Sequence, residues 1–86
     1  MEVKLKLLNE EGMHARPAGV LVKRVGQFKS KIELVSNGKS VNAKSLLSIM
    51  SLGLTANSEF VVKAEGEDAS DALKSIEELV QNKFQV

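Results

Sequence analysis

Apolar residues recur along this chain with two different periods, and the order in which those periods alternate restricts the fold more than any other feature. Val3, Leu5 and Leu7 alternate with Glu2, Lys4 and Lys6, and period two marks an extended strand with one wet face. Asn9-Glu10-Glu11-Gly12 breaks that pattern. From Ala18 the apolar positions are Ala18, Leu21, Val22, Val25 and Phe28, the spacing of an amphipathic helix. Lys31 to Val35 alternates again, with Ile32 and Leu34 on the apolar side. Ser36-Asn37-Gly38-Lys39 follows, and Asn-Gly between two extended runs is a strong hairpin signal. Ser40 to Ala43 completes the hairpin. Leu46 to Leu52 reads as a short apolar helix stopped by Gly53. Phe60, Val62 and Ala64 mark a fourth strand. Gly66-Glu67-Asp68 is a turn carrying a candidate N-cap. Ala69, Ala72, Leu73, Ile76, Leu79 and Val80 mark a longer last helix.

The order is β-α-β-β-α-β-α. Strands that keep one polar face leave the helices only the other face to cover. The expected architecture is therefore an α/β (α+β) two-layer open-faced sandwich, with a four-stranded antiparallel sheet and three helices on one face. At 86 residues, with 43% apolar and 27% charged positions, the chain is expected to form a single domain over 1–86.

The same numbers exclude several functions. The chain has no cysteine, so disulfides and thiolate metal sites are ruled out. That absence fits a cytoplasmic protein. Net charge is +1, and Trp and Tyr are absent, unlike a nucleic-acid binder with its basic patch and stacking aromatics. No apolar run approaches the ~20 residues that cross a bilayer, so membrane insertion is not expected.

Chemistry concentrates around the one histidine. Pro17 is tolerated only in a first helical turn, where its missing N–H costs no internal bond. That places the helix start near Ala15 and His14 at or beside the N-cap. Gly12 frees the backbone to turn just before it. Unpaired N–H groups of the first turn, those of Ala15 and Arg16 among them, then project near His14. Their field disfavours an imidazolium and favours an anion, which suits a ring that is neutral before reaction and carries phosphate after it. Arg16 can offer a guanidinium fork to phosphate oxygens. A plain cap or surface histidine is the competing reading, and spacing alone leaves the two near even. A metal site is disfavoured, because one histidine supplies too few ligands. No cofactor is expected. A hydrolase triad lacks a partner for the histidine.

Gly12-Met13-His14-Ala15-Arg16-Pro17-Ala18 resembles the active-site motif of HPr, the phosphocarrier family of the bacterial sugar phosphotransferase system. Val41-Asn42-Ala43-Lys44-Ser45-Leu46-Leu47-Ser48-Ile49-Met50-Ser51-Leu52-Gly53 resembles the regulatory-serine block of the same family. The resemblance implies that enzyme I phosphorylates His14, on Nδ1, and that His14 passes the group to IIA domains of sugar permeases. It implies that Arg16 helps hold the phosphate. It also implies that Ser45 matches the serine used by HPr kinase/phosphorylase, with a catabolite-control transcription regulator as a further partner. The residues themselves make Ser45 a helix N-cap, which is compatible with that role.

Leu47 stands where methionine is usual in the family, Ser48 where glycine is usual, and Gly19 where a larger side chain is usual. Leu46, Leu47, Ile49, Met50 and Leu52 span an arc of about 220° around their helix, wider than one sheet can cover. Exposure of part of that arc is expected, as at a partner site. The resemblance selects Leu46, Leu47 and Met50, with Gly19 and Val20, as the partner-facing set. Two alternatives stay open: a nitrogen-branch phosphocarrier, and a regulatory binding module acting through Ser45. A standalone enzyme is not expected. A carrier that shows one face to several partners in turn is expected to be a monomer.

Overall fold

A computed structural model describes residues 1–85. The elements run β1 (Glu2–Lys6), α1 (Ala15–Val25), β2 (Lys31–Ser36), β3 (Lys39–Asn42), α2 (Leu46–Met50), β4 (Glu59–Glu65) and α3 (Ala69–Gln81). The strands form one antiparallel sheet in the order β1-β4-β2-β3. The expected β-α-β-β-α-β-α sandwich is the observed fold.

Period-two alternation sets the register. Val3 faces Val62, Leu5 faces Phe60, Ile32 faces Ala64 and Leu34 faces Val62 across the strands. These side chains form one apolar face, which meets Leu21, Val25, Ile49, Ile76 and Leu79 from the helices. Burying one such Leu, Ile or Phe contributes about 1.5–3 kcal/mol. On the opposite face Glu33 lies across from Lys63, Lys31 from Glu65 and Lys6 from Glu59. Opposite charges in register support that pairing and oppose a one-residue slip. The hairpin between β2 and β3 turns on Asn37 and Gly38, with φ of 53° and 78°. Two left-handed residues in succession fit a type I′ turn, as the Asn-Gly pair leads one to expect.

Three details differ from the sequence reading. The first helix ends at Val25, so half-buried Phe28 packs on the core from the loop beyond it. The second helix ends at Met50 rather than Leu52. Its continuation tightens into turns, Leu52 N donating to Ile49 O at 3.2 Å and Gly53 N to Met50 O at 3.2 Å. The third concerns Asp68, which occupies the N-cap position of α3 but whose carboxylate makes no bond to that helix. It accepts instead from Lys29 N at 2.8 Å, from Ser30 N at 2.9 Å and from the Ser30 hydroxyl. It thus clasps the connection between α1 and β2. No helix among the described residues is long and apolar enough to cross a membrane.

Candidate functional site

Beyond β1 the chain is pinned before it reaches the histidine. Leu7 N donates to Ser58 O at 2.8 Å, and Asn57 N donates to Leu7 O at 2.8 Å. Asn9 is only 2% exposed, and its Nδ2 donates to Gly12 O at 2.7 Å. Gly12 has φ +73°. Met13 N donates to Leu54 O at 3.0 Å, and the Met13 side chain is buried. The segment carrying His14 is therefore anchored to the connection between α2 and β4.

His14 is the N-cap of α1, with extended backbone (φ −92°, ψ −168°). Its side chain is 45% exposed. Its Nδ1 accepts from the backbone N–H of Arg16 at a long 3.4 Å. The sequence reading of a cap position is borne out, with the ring itself performing the capping. Pro17 is the third helical residue and has no N–H. Ala18 N is committed to His14 O at 3.0 Å. Ala15 and Arg16 thus hold the first-turn amides that lack an intrahelical acceptor. The first turn contains no acidic residue, while Lys23 and Arg24 occupy the last. Lys23 and Arg24 suit the negative end of the dipole; at the positive end no carboxylate of the helix competes with an anion for the free amides.

The Arg16 guanidinium makes two contacts. Its Nη1 donates to Phe84 O at 3.3 Å, and its Nη2 lies 3.5 Å from Glu11 Oε2. The same Glu11 oxygen lies 3.6 Å from His14 Nε2 and accepts from Asn9 Nδ2 at 3.5 Å. The Asn9 amide is the chief influence holding the Glu11 carboxyl below its ordinary 4.5; partial desolvation opposes it, and His14 and Arg16 add to the lowering. His14, Arg16 and Glu11 therefore form one cluster, backed by Asn9.

Glu11, Asn9 and Phe84 escaped the sequence reading. Glu11 belongs to the turn that ends the strand pattern, and a turn has no periodicity to aim a side chain. Phe84 lies past the last helical apolar position. Lys83 and Phe84 take left-handed backbone (φ 56° and 61°), Phe84 N donates to Leu79 O at 2.9 Å, and the phenyl ring is fully buried. That fold-back brings the Phe84 carbonyl to Arg16. An aromatic three residues beyond a helix was the available signal.

Ser45 is the N-cap of α2, its Oγ accepting from Ser48 N at 3.3 Å. Leu47 is 81% exposed, Leu46 41% and Met50 38%, while Ile49 is buried. The excess apolar arc is thus exposed, as its width required. Val20 and Gly19 are half-buried on α1, and α1 packs against α2. Among the described residues no hydrogen bond joins His14 to Ser45. A concavity of about 310 Å³ is lined by Val20, Lys23, Arg24 and Gln27. His14 takes no part in it, and its imidazole is open to solvent, 45% exposed.

A family model described as "PTS HPr component phosphorylation site" matches residues 1–82. HPr-C-His from Thermoanaerobacter tengcongensis is 39% identical with a TM-score of 0.95, covering 98% of this chain and 94% of that one. Phosphocarrier protein HPr from Bacillus anthracis is 34% identical with a TM-score of 0.90, covering 94% and 96%. Crh, the catabolite-repression protein of Bacillus subtilis, is 36% identical with a TM-score of 0.77, covering 100% and 94%, and its structure is a domain-swapped dimer. The exposed capping histidine, the fold around it and these matches lead to one conclusion: the chain belongs to the HPr family of the phosphotransferase system.

Proposed function

We propose that this protein carries a phosphoryl group, accepting it on His14 from phospho-enzyme I and passing it to IIA domains of sugar permeases. The observation that carries the reading is the half-exposed imidazole at the start of α1, with Nδ1 turned to the Arg16 amide. An incoming phosphoryl group at Nδ1 meets the Ala15 and Arg16 amides and the positive end of the helix dipole. Arg16 supplies a mobile charge, because contacts of 3.3 and 3.5 Å tether it loosely. Swinging from Glu11 to the phosphoryl oxygens exchanges one ion pair for a stronger, charge-assisted one. The chain acts as a cytoplasmic carrier and has no turnover of its own.

Gly19, Val20, Leu46, Leu47 and Met50 form the proposed face for enzyme I and IIA domains. Exposure of the three α2 side chains beside α1 supports this reading.

Incubation with phosphoenolpyruvate and enzyme I is expected to give a singly phosphorylated, acid-labile product. His14→Ala is expected to take no label, and a labelled variant would overturn the reading. Arg16→Ala is expected to slow uptake by on the order of tenfold, the loss of one charge-assisted contact.

The likeness to Crh favours a second role on the same chain. In it, HPr kinase/phosphorylase modifies Ser45, and the modified protein serves a catabolite-control transcription regulator. Phosphate on Ser45 Oγ would replace the cap contact to Ser48 N while adding negative charge at a helix start. Ser45→Ala tested with a cognate kinase decides it, since loss of labelling supports the role and retained labelling excludes it.

A further inference from the structure

We propose that Glu11 is a positioning residue for phosphoryl transfer, its carboxylate holding the proton on His14 Nε2 and so presenting Nδ1 as the nucleophile. The inference rests on the reading of His14 as phosphoryl acceptor. A neutral imidazole has one N–H and one lone pair, and its neighbours decide which nitrogen has which. Nδ1 faces a donor, the Arg16 amide, at 3.4 Å. Nε2 faces the Glu11 carboxylate, which only accepts, at 3.6 Å. Both neighbours select the same tautomer, with the proton on Nε2. The other tautomer would set N–H against N–H at Nδ1 and a lone pair against a carboxylate at Nε2.

Glu11 is itself held in place. Its Oε2 accepts from Asn9 Nδ2 at 3.5 Å and lies 3.5 Å from Arg16 Nη2. Asn9 is buried and fixed by its 2.7 Å bond to Gly12 O. The carboxyl is kept ionised by the Asn9 amide first, with His14 and Arg16 adding to the effect against partial desolvation.

In the transfer step the Nδ1 lone pair forms the N–P bond. The bond between phosphorus and the donor's leaving atom breaks, and its electron pair leaves with the donor. The ring gains positive charge while its proton stays on Nε2, where Glu11 faces it. A carboxylate that orients and stabilises an imidazolium is the logic of a catalytic triad, applied here to a ring that is itself the nucleophile. Because the carboxylate addresses the other nitrogen, it leaves the phosphorylated one to the helix start and Arg16.

The test combines ring ¹⁵N NMR of His14 with the rate of phosphoryl uptake from phospho-enzyme I, in the wild type, Glu11→Ala and Glu11→Gln. Glu11 is exposed, so both variants are expected to keep the wild-type thermal midpoint. Wild type is expected to show the Nε2–H tautomer in excess. Glu11→Ala is expected to raise the Nδ1–H fraction several-fold and to slow uptake by about tenfold. Glu11→Gln keeps an oxygen acceptor, so it is expected to restore the tautomer and recover part of the rate. An unchanged tautomer ratio in Glu11→Ala would overturn the proposal. So would equal slowing in both variants, which would make the effect one of charge alone. A wild type that takes no label would remove the carrier reading and this role with it, and the NMR ratio would still report whether Glu11 governs the ring.

Discussion

A Cβ added at Gly12 would stand 2.8 Å from Leu54 O and 3.0 Å from Thr55 Cα, on a backbone with φ +73°. Both obstacles are main-chain atoms and cannot rotate aside. The conformation adds its own penalty for an L-residue. Gly12→Ala is therefore expected to destabilise the protein by roughly 2 kcal/mol or more, measured by urea denaturation. It is also expected to slow phosphoryl uptake, because Met13 N–Leu54 O is the bond that locates His14. Unchanged stability would show that the loop re-forms around a side chain. At this scale the sequence disclosed what proline, glycine and a lone histidine force locally. His14 as cap, Ala15 as helix start and Ser45 as cap follow from backbone rules. The Glu11–Asn9 pairing does not, because a turn has no periodicity to aim its side chains; nor does the Phe84 carbonyl, which the finished fold alone brings to Arg16.

Helix α1 bends no local rule except at Gly19, where a Cβ would meet nothing within 4 Å. Glycine inside a helix costs backbone entropy with no packing return. Gly19→Ala is expected to stabilise the protein by about 0.5–1 kcal/mol, read as a rise of roughly 4 °C in thermal midpoint. If α1 carries part of the partner face, the same substitution alters uptake from enzyme I while stability improves. Opposite signs in the two assays would separate contact from folding.

Helix α3 offers a different test. The Ser30 hydroxyl first, and the Lys29 amide next, hold the Asp68 carboxyl below its ordinary 3.8. A folded value below the unfolded one contributes stability above the unfolded value, and that contribution is lost as pH falls through the folded one. Asp68→Asn is thus expected to be destabilising at pH 7, with the gap to wild type narrowing as the solution is acidified below 3.8. Urea midpoints at pH 7 and pH 3 check this, and a gap independent of pH would remove the ionised clasp. Periodicity exposed each element's existence, including the excess apolar arc of α2. It could not show that Asp68 reaches across to another loop, since a residue at a helix start reads as a cap for its own helix.

Antiparallel sheets expose two edges, and in this molecule they belong to β1 and β3. Both strands are short, at 5 and 4 residues, and carry Lys4, Lys6 and Lys39. Short, charged edges resist pairing with a second sheet. The alternation in the sequence disclosed the two layers and the wet face, but not the strand order, which depends on β4 inserting between β1 and β2. Crh assembles as a domain-swapped dimer at 36% identity to this chain, so the fold family tolerates release of a segment from its own body. In this chain β1 is the first strand and lies at a sheet edge, and its exchange would require the following segment to open. That segment is held by Leu7 N–Ser58 O and Asn57 N–Leu7 O at 2.8 Å, by Asn9 Nδ2–Gly12 O at 2.7 Å and by Met13 N–Leu54 O at 3.0 Å. A swap would break these bonds in both copies and restore only those that the new hinge geometry permits. The protein is therefore expected to sediment at the mass of one chain, 9.3 kDa, across micromolar concentrations. A stable species of twice that mass would show that the hinge bonds re-form between copies, and that His14 works within a shared surface.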